Sequence, residues 1–516
     1  ACALNDSLNE LYRVLFDLQF LKSLGDGTIE SAALYIDSTT ESYELFKDDV
    51  LYRKTTGFKG PLAFDVAVDD TNPPNVLVLT VESFRYQDSL YLVGNKSEAI
   101  LKKQGNLTLT PHFDRWAQRG VTFRNMWSAW QTSRSVEGIL FGQVPYDHVS
   151  DSGTTTGRKK VKLNGMPQLF HAKGYETKFT TGARLDYDGW DKFFDVHGFD
   201  EVFGAADMRK YAEAHYNISK KDWEQPSDGG EGRAMYWGVH DDVSFEVLGD
   251  LLLNKTQEQQ TRVQSGQPKQ PFFINHYTIS SHTPWEEHPS WYDEDATPDF
   301  SPLYAGRPSA GKIKNYAKMR YFTDMELGKF LDRMQAAGVL NDTIVVIVGD
   351  HGQSPESAPH RLYNDEVTTM RVPAALIAEG RLATYAGLII DHAAGQHDLL
   401  NTIADIVGVP SGGFLQSGVG RSLKRAVPFG QHTVWTNNPM HHLGVVRGHK
   451  RLSYDRVFSM IALYAPEDDP ELTTDLLPTV SEEERQMWLE LRGQGRRLSR
   501  YFRVRWDNEC ISQVEC

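Results

Sequence analysis

Asn75-Val-Leu-Val-Leu-Thr-Val-Glu82-Ser83 and Thr343-Ile-Val-Val-Ile-Val-Gly-Asp350-His351-Gly352 follow one plan: an apolar, β-branched run that stops abruptly on a carboxylate. A run apolar on both faces predicts a parallel strand covered by helices on each side. In open α/β sheets the functional crevice lies at the carboxyl ends of the strands. Glu82, Asp350 and His351 are therefore expected to converge there, although far apart in sequence. Carboxylate and imidazole donors grouped in this way bind hard or borderline divalent cations, so the pattern implies metal-dependent chemistry.

The chain has 516 residues, 40% of them hydrophobic, enough for one large α/β domain with a smaller appendage. Its formal net charge of −15 argues against a nucleic-acid partner, which calls for a basic stripe. No apolar stretch reaches membrane-spanning length and no signal peptide is visible at Ala1. The expectation is a soluble chain with no membrane span, secreted or luminal, released from a membrane-anchored precursor. Six Asn-x-Ser/Thr sequons, at Asn5, Asn95, Asn106, Asn217, Asn254 and Asn341, exceed the roughly two or three expected by chance and favour a glycoprotein. The three cysteines, Cys2, Cys510 and Cys516, lie at the chain ends, where one pair can close a disulfide.

Apolar residues at helical spacing from Leu8 to Phe20, and a second stretch near Ser31–Phe46, predict a helical N-terminal extension over 1–72. The breaker Asp69-Asp-Thr-Asn-Pro-Pro74 separates it from the first strand. Alternating strands and helices over 73–430 predict a doubly wound, mostly parallel sheet with helices on both faces. Over 431–516, the runs Thr433–Thr436, Leu443–Arg447 and Arg451–Tyr454 predict a small antiparallel sheet, followed by an amphipathic helix near Ser481–Arg500. Between the two strand-end signals stands Gln131-Thr132-Ser-Arg134-Ser-Val-Glu-Gly138. A loop entering a helix here places Thr132 at a helix N-terminus, which favours anions. Coordination to a divalent metal can make such a hydroxyl a nucleophile; a Ser/Thr-rich helix cap is the plain structural alternative.

The ordered set Asn75–Phe84, Thr110-Pro-His-Phe113, Thr132–Glu137, Gly198-Phe-Asp-Glu-Val-Phe203, Trp237-Gly-Val-His-Asp241, Thr278-Ile-Ser-Ser-His282, Gly349-Asp-His-Gly352 and Arg371-Val-Pro373 resembles the sulfatase-like branch of the alkaline phosphatase superfamily. Within that branch it is most similar to the extracellular domain of lipoteichoic acid synthases and related phosphoglycerol transferases. The resemblance implies Thr132 as a nucleophile that forms a covalent phospho-threonine intermediate. It further implies Glu82, Thr132, Asp350 and His351 as ligands of one Mn²⁺, Mg²⁺ or Zn²⁺, with His282 facing the phosphoryl group as a catalytic residue. Arg134, Trp190 and Lys192 are implied as substrate contacts. His397, similar to a histidine of phosphoethanolamine transferases, is implied to bind phosphate or help hold a second metal. A sulfatase formylglycine is made from Cys or Ser in a Cys/Ser-x-Pro-x-Arg signature, and Thr132 cannot yield that aldehyde.

The resemblance implies an extracellular phosphotransferase or phosphodiesterase handling a phosphoglycerol- or phosphoethanolamine-type head group of a phosphodiester or phospholipid, with a glycan or water as acceptor. The alternatives are a sulfatase-like hydrolase of sulfate or phosphate esters, and an inactive secreted scaffold.

Overall fold

In the computed structural model, which describes residues 27–94, 97, 107–144, 161–292, 297–357, 366–438 and 441–516, the two apolar runs are neighbouring strands buried along their whole length. The strands that carry the architecture are β1 (Glu41–Leu45), β2 (Arg53–Phe58), β3 (Asn75–Val81), β4 (Val121–Phe123), β5 (Glu176–Thr181), β6 (Glu201–Phe203), β7 (Phe272–Tyr277), β8 (Thr343–Gly349), β9 (Ala374–Ile377), β10 (Ile389–Ile390) and β11 (Phe414–Gln416). The C-terminal part adds β12 (Thr433–Asn438), β13 (His442–Arg447), β14 (Lys450–Asp455) and β15 (Met460–Tyr464). The principal helices are α1 (Thr132–Phe141), α2 (Asp241–Gln264), α3 (Ala310–Ala336), α4 (Leu399–Val407) and α5 (Glu482–Asp507).

The central sheet has eight strands in the order β10-β4-β9-β8-β3-β7-β5-β6. The block from β8 to β6 is parallel throughout, and β9 is the reversed strand. The period of two explains the double covering. Val76 and Val78 of β3, with Ile344, Val346 and Val348 of β8, face one core shared with Val136 and Ile139 of α1 and Leu399, Leu400 and Ile403 of α4. Leu77, Leu79 and Val81, with Val345 and Ile347, face the other, built on Phe245 and Leu248 of α2 and Leu327, Phe330 and Leu331 of α3. At about 1.5–3 kcal/mol for each fully buried Val or Leu, these strands form a rigid rim for whatever follows Val81 and Gly349.

The N-terminal segment differs from its expectation. Ser31–Phe46 is not a helix: a 3-10 turn at Ala32–Leu34 leads into β1, which pairs with β2, and β2 pairs with β11. The Asp37 carboxylate ends the turn by accepting from Thr39 N, Thr39 Oγ1 and Thr40 Oγ1. Such local bonds compete with a helix. Glu41 is then drawn inward as acceptor of a two-pronged Arg53 pair (2.8 and 2.7 Å) and of Thr55 Oγ1, bonds that require an extended chain. The helix expected at Leu8–Phe20 lies outside the described residues. At the other end, β12 to β15 form an antiparallel meander and α5 packs across it. Ser481 caps α5 by accepting from Glu484 N. Gly495 of α5 lies where a side chain would meet the Trp435 ring at 2.6 Å, so the helix can approach the sheet only with glycine there. The N-terminal segment joins this unit: Tyr501 Oη accepts from Leu51 N at 3.0 Å and the Tyr35 and Trp435 rings lie 5.9 Å apart.

Cys510 and Cys516 are disulfide-bonded; Cys2 lies outside the described residues. No helix among the described residues is long and apolar enough to cross a membrane. The asparagines of three sequons, Asn217, Asn254 and Asn341, are exposed.

The sheet buries histidines that must stay neutral. His276 of β7 is fully buried, with Nδ1 2.9 Å from Thr180 Oγ1, and burial drives its pKa from 6.5 down to about 3. A depressed histidine contributes its full stability above pH 6.5 and loses it as the pH falls towards 3. At pH 5 the unfolded chain has taken up the proton and the fold has not, a penalty of about 2 kcal/mol. His276→Gln should flatten this arm: the wild-type loss of urea-unfolding free energy from pH 7.5 to 5 should exceed the variant's by about that amount. Equal losses would show that His276 is already protonated in the native state.

Candidate active site

The register of the central strands assembles the site. Val81 pairs with Gly349 and Thr80 with Tyr277, so Glu82, Asp350 and the end of β7 leave the sheet side by side. Glu82 and Asp350 are fully buried, and His351 nearly so. His351 Nε2 lies 3.7 Å from Glu82 Oε1, 3.4 Å from Asp350 Oδ2 and 3.2 Å from Thr132 Oγ1. Its Nδ1 is 2.8 Å from the carbonyl oxygen of Gly352, which can only accept. Nδ1 therefore carries a proton, and Nε2 is the nitrogen turned to the carboxylates and Thr132. Thr132 is the first residue of α1, whose opening N–H groups have no intrahelical partner. The four expected ligands are thus together.

Each carboxylate is held by its surroundings. Asp350 Oδ1 accepts from Ser83 N (2.8 Å) and His351 N, and Oδ2 accepts from Tyr277 Oη at 2.6 Å. Glu82 Oε1 accepts from Ser83 Oγ, and Oε2 lies against the same Tyr277 Oη, whose single proton serves one of the two acids. Ser83 reaches both acids because its backbone is left-handed, φ 52°, at a cost of about 1–2 kcal/mol for a residue with a Cβ. Burial, with the Glu82 charge added, pushes the Asp350 carboxyl up to about 7. Burial also opposes ionisation of Glu82, but the charges of His282 and His351 outweigh it and hold this carboxyl below its usual range. Burial disfavours the His351 imidazolium, yet the two carboxylates raise its pKa. Two buried acids that share Tyr277 Oη as a neighbour, with His351 as their one ion-pair partner among the described residues, form a site short of positive charge. Carboxylate, hydroxyl and imidazole donors suit a divalent cation.

A second acid–histidine group, Asp391, His449 and Glu467, lies elsewhere. Its charge is already met, since Arg371 pairs with Glu467 at 2.6 Å and Arg124 approaches Asp391 at 3.7 Å.

Thr132 faces a cavity of about 270 Å³ lined by Arg134, Trp190, His282, Arg184, Tyr187 and Trp237 among others. Arg134 and Trp190 are buried in its wall, and Trp190 Nε1 donates to Ser133 Oγ at 3.0 Å. His282 Nδ1 faces the Thr283 carbonyl oxygen at 2.7 Å, and the His282 ring lies 4.4 Å from that of Trp237.

Two of the expected residues, Lys192 and His397, lie apart from the cavity. Lys192 is exposed and is not among the residues lining the cavity. It follows Trp190 by two positions on the short helix Trp190–Phe194, about 200° around the axis, so an inward Trp190 turns Lys192 outward. His397 is buried away from the cavity and the acid cluster, where the charged groups that act on it are Asp398 and His432. Its neighbour Gln396 takes the inward position instead. Gln396 Oε1 accepts from Ala129 N at 2.7 Å, and Nε2 donates to the carbonyl oxygens of Gly349 (2.7 Å) and Asp350 (2.6 Å), tying the approach to Thr132 to the end of β8.

Sequence reasoning missed Gln396, Tyr277, Arg184 and Tyr187, none of which belongs to a spacing pattern of its own. Several motif residues prove structural. Asp241 caps the turn before His282, accepting from Ile279 N (2.9 Å), Ser280 N (3.0 Å) and Thr323 Oγ1. Thr110–Phe113 opens a helix whose His112 and Phe113 N–H groups donate to Asp324 at 2.8 Å. Arg371 stacks over Tyr86, 3.8 Å from the ring centre.

The family model described as Sulfatase matches residues 74–409, more than half of the chain. A curated relative, lipoteichoic acid synthase of Staphylococcus saprophyticus, is 23% identical over 292 residues, 54% of this chain and 40% of that protein. The chain thus spans about two fifths of the relative's length. Among solved structures, the lipoteichoic acid synthase LtaP of Listeria monocytogenes superimposes with a TM-score of 0.59 at 16% identity, covering 86% of this chain and 96% of that one. The phosphonate monoester hydrolase of Agrobacterium radiobacter gives 0.54 at 14% identity, covering 82% and 96%.

Proposed function

Because the chain belongs to the sulfatase family and is an enzyme of it, we propose that it is an extracellular phosphotransferase or phosphodiesterase whose nucleophile is Thr132. The observation that carries this reading is the position of Thr132 Oγ1, 3.2 Å from His351 Nε2 at the start of α1 and open to the cavity. Sulfatase-family enzymes use a divalent metal. Glu82, Thr132, Asp350 and His351 would hold it, and when bound it supplies positive charge that favours the alkoxide of Thr132 and offsets charge on a phosphoryl oxygen.

The residues of this chain then divide the work. Thr132 gives its hydroxyl proton to solvent, Oγ1 bonds to phosphorus, the bond from phosphorus to the departing alkoxide breaks, and the phosphoryl head group stays on Thr132. His282, with its Nδ1 proton held by the Thr283 carbonyl, presents Nε2 and as imidazolium protonates the departing alkoxide. An acceptor alcohol or water then gives its proton to the now neutral His282 and bonds to phosphorus, and the bond from phosphorus to Thr132 Oγ1 breaks. Trp237, Tyr187 and Arg184 line the outer cavity with aromatic surface and one cation, which suits a polyol or amine head group next to a phosphate. Head groups of the phosphoglycerol or phosphoethanolamine type, drawn from a phospholipid and passed to a glycan, fit this cavity. The exposed sequons and the terminal disulfide support an oxidising, secretory setting.

Turnover of bis-p-nitrophenyl phosphate, p-nitrophenyl phosphate and p-nitrophenyl sulfate tests the assignment. The diester should be fastest and the sulfate slowest, by at least about 100-fold, because Thr132 cannot become a formylglycine. Faster turnover of the sulfate would establish the competing reading, a sulfate-ester hydrolase.

A further inference from the structure

The oxygens left for a cation after local hydrogen bonding are few. Asp350 Oδ1 is taken by two backbone N–H groups and Glu82 Oε1 by the Ser83 hydroxyl. Asp350 Oδ2 and Glu82 Oε2 remain, and both touch the same atom, Tyr277 Oη. A phenol has one proton, so it cannot donate to two carboxylates at once. One of the two contacts is therefore without a proton of its own unless an acid supplies it. Oxygens that stand at hydrogen-bond range from one another also have the spacing of neighbouring ligands on one small cation.

Tyr277 cannot withdraw easily. It is fully buried at the end of β7, its backbone is paired on both sides, and its ring packs edge-on to Trp190 with centroids 5.3 Å apart. Its hydroxyl is therefore fixed where a cation on Asp350 Oδ2 and Glu82 Oε2 would meet it. We propose that the Tyr277 phenol oxygen is a fifth donor to the cation, beside Glu82, Thr132, Asp350 and His351. This rests on the reading that those four residues hold a cation. A fourth oxygen donor beside one imidazole shifts the site towards hard cations such as Mn²⁺ and away from zinc, whose protein sites are mostly four-coordinate with nitrogen and sulfur. Nothing in the spacing of the sequence marks Tyr277, whose phenol reaches the acids only through the register of β7 on β3.

Calorimetric titration of the whole chain and of Tyr277→Phe with Mn²⁺ alone tests this. The expected result is a Kd at least about 10-fold weaker in the variant. In parallel, Mn²⁺ should produce an ultraviolet difference band of a perturbed tyrosine in the wild type, absent from the variant. The wild-type spectrum needs no variant, so a misfolded Tyr277→Phe does not blunt the test: saturation with Mn²⁺ and no tyrosine band overturns the proposal. An equal or tighter Kd in a folded variant overturns it too, while leaving the four-residue site standing. A wild-type chain that takes up no Mn²⁺ removes that site and the proposal together.

Discussion

Thr132→Ala is expected to lower kcat on a phosphodiester by at least about 10⁴-fold, the scale seen when a covalent nucleophile is deleted from an otherwise intact site. Ser133, the adjacent hydroxyl, is held by Trp190 Nε1 and by Asp188 and is turned from the acid cluster. Thr132 is only partly buried and, among the described residues, its side chain makes one polar contact, to His351. Its loss should therefore cost no more than about 1 kcal/mol of stability. Thr132→Ser, which keeps the oxygen, should retain measurable turnover. The measurements are steady-state rates on bis-p-nitrophenyl phosphate together with thermal unfolding. Activity within tenfold of wild type in a folded Thr132→Ala protein would end the covalent reading.

Asp350→Asn is expected to abolish tight cation binding while leaving the fold unharmed or slightly stabilised. In the wild type, burial and the neighbouring Glu82 charge push the Asp350 carboxyl upward, so the ionised pair is a liability until positive charge arrives. Asparagine removes that repulsion and keeps an oxygen for the Ser83 and His351 N–H groups. It also turns an N–H donor towards the cation. A cation at 100 times its Kd should stabilise the wild type by about 2.7 kcal/mol and the variant by nearly nothing. Thermal unfolding with and without Mn²⁺ reads both effects in one experiment. A variant that gains as much from Mn²⁺ as the wild type would remove Asp350 from the ligand set.

The residues themselves carried much of this protein. Apolar runs without polar alternation can only be strands covered on both faces, and a carboxylate directly after such a run must lie at the rim of the sheet. That reasoning placed Glu82, Asp350 and His351 together, and the motif order added Thr132 and His282. Strands β12 to β14 of the meander and the amphipathic α5 were equally plain from their apolar patterns, whereas β15 was not foreseen. Other features depend on contacts between distant segments. Ser31–Phe46 has helical spacing, but Glu41 is bound by Arg53 and Asn401, and those long-range bonds impose a strand. Lys192 and His397 carry the right chemistry next to the right motif, yet the turn on which each sits directs its neighbour, Trp190 or Gln396, inward. Tyr277 is the converse: an ordinary strand residue brought onto two carboxylates by the register of β7 on β3. Local pattern dictates which segments are buried, whereas side-chain direction at a turn and pairing across a sheet arise only when the whole chain has packed.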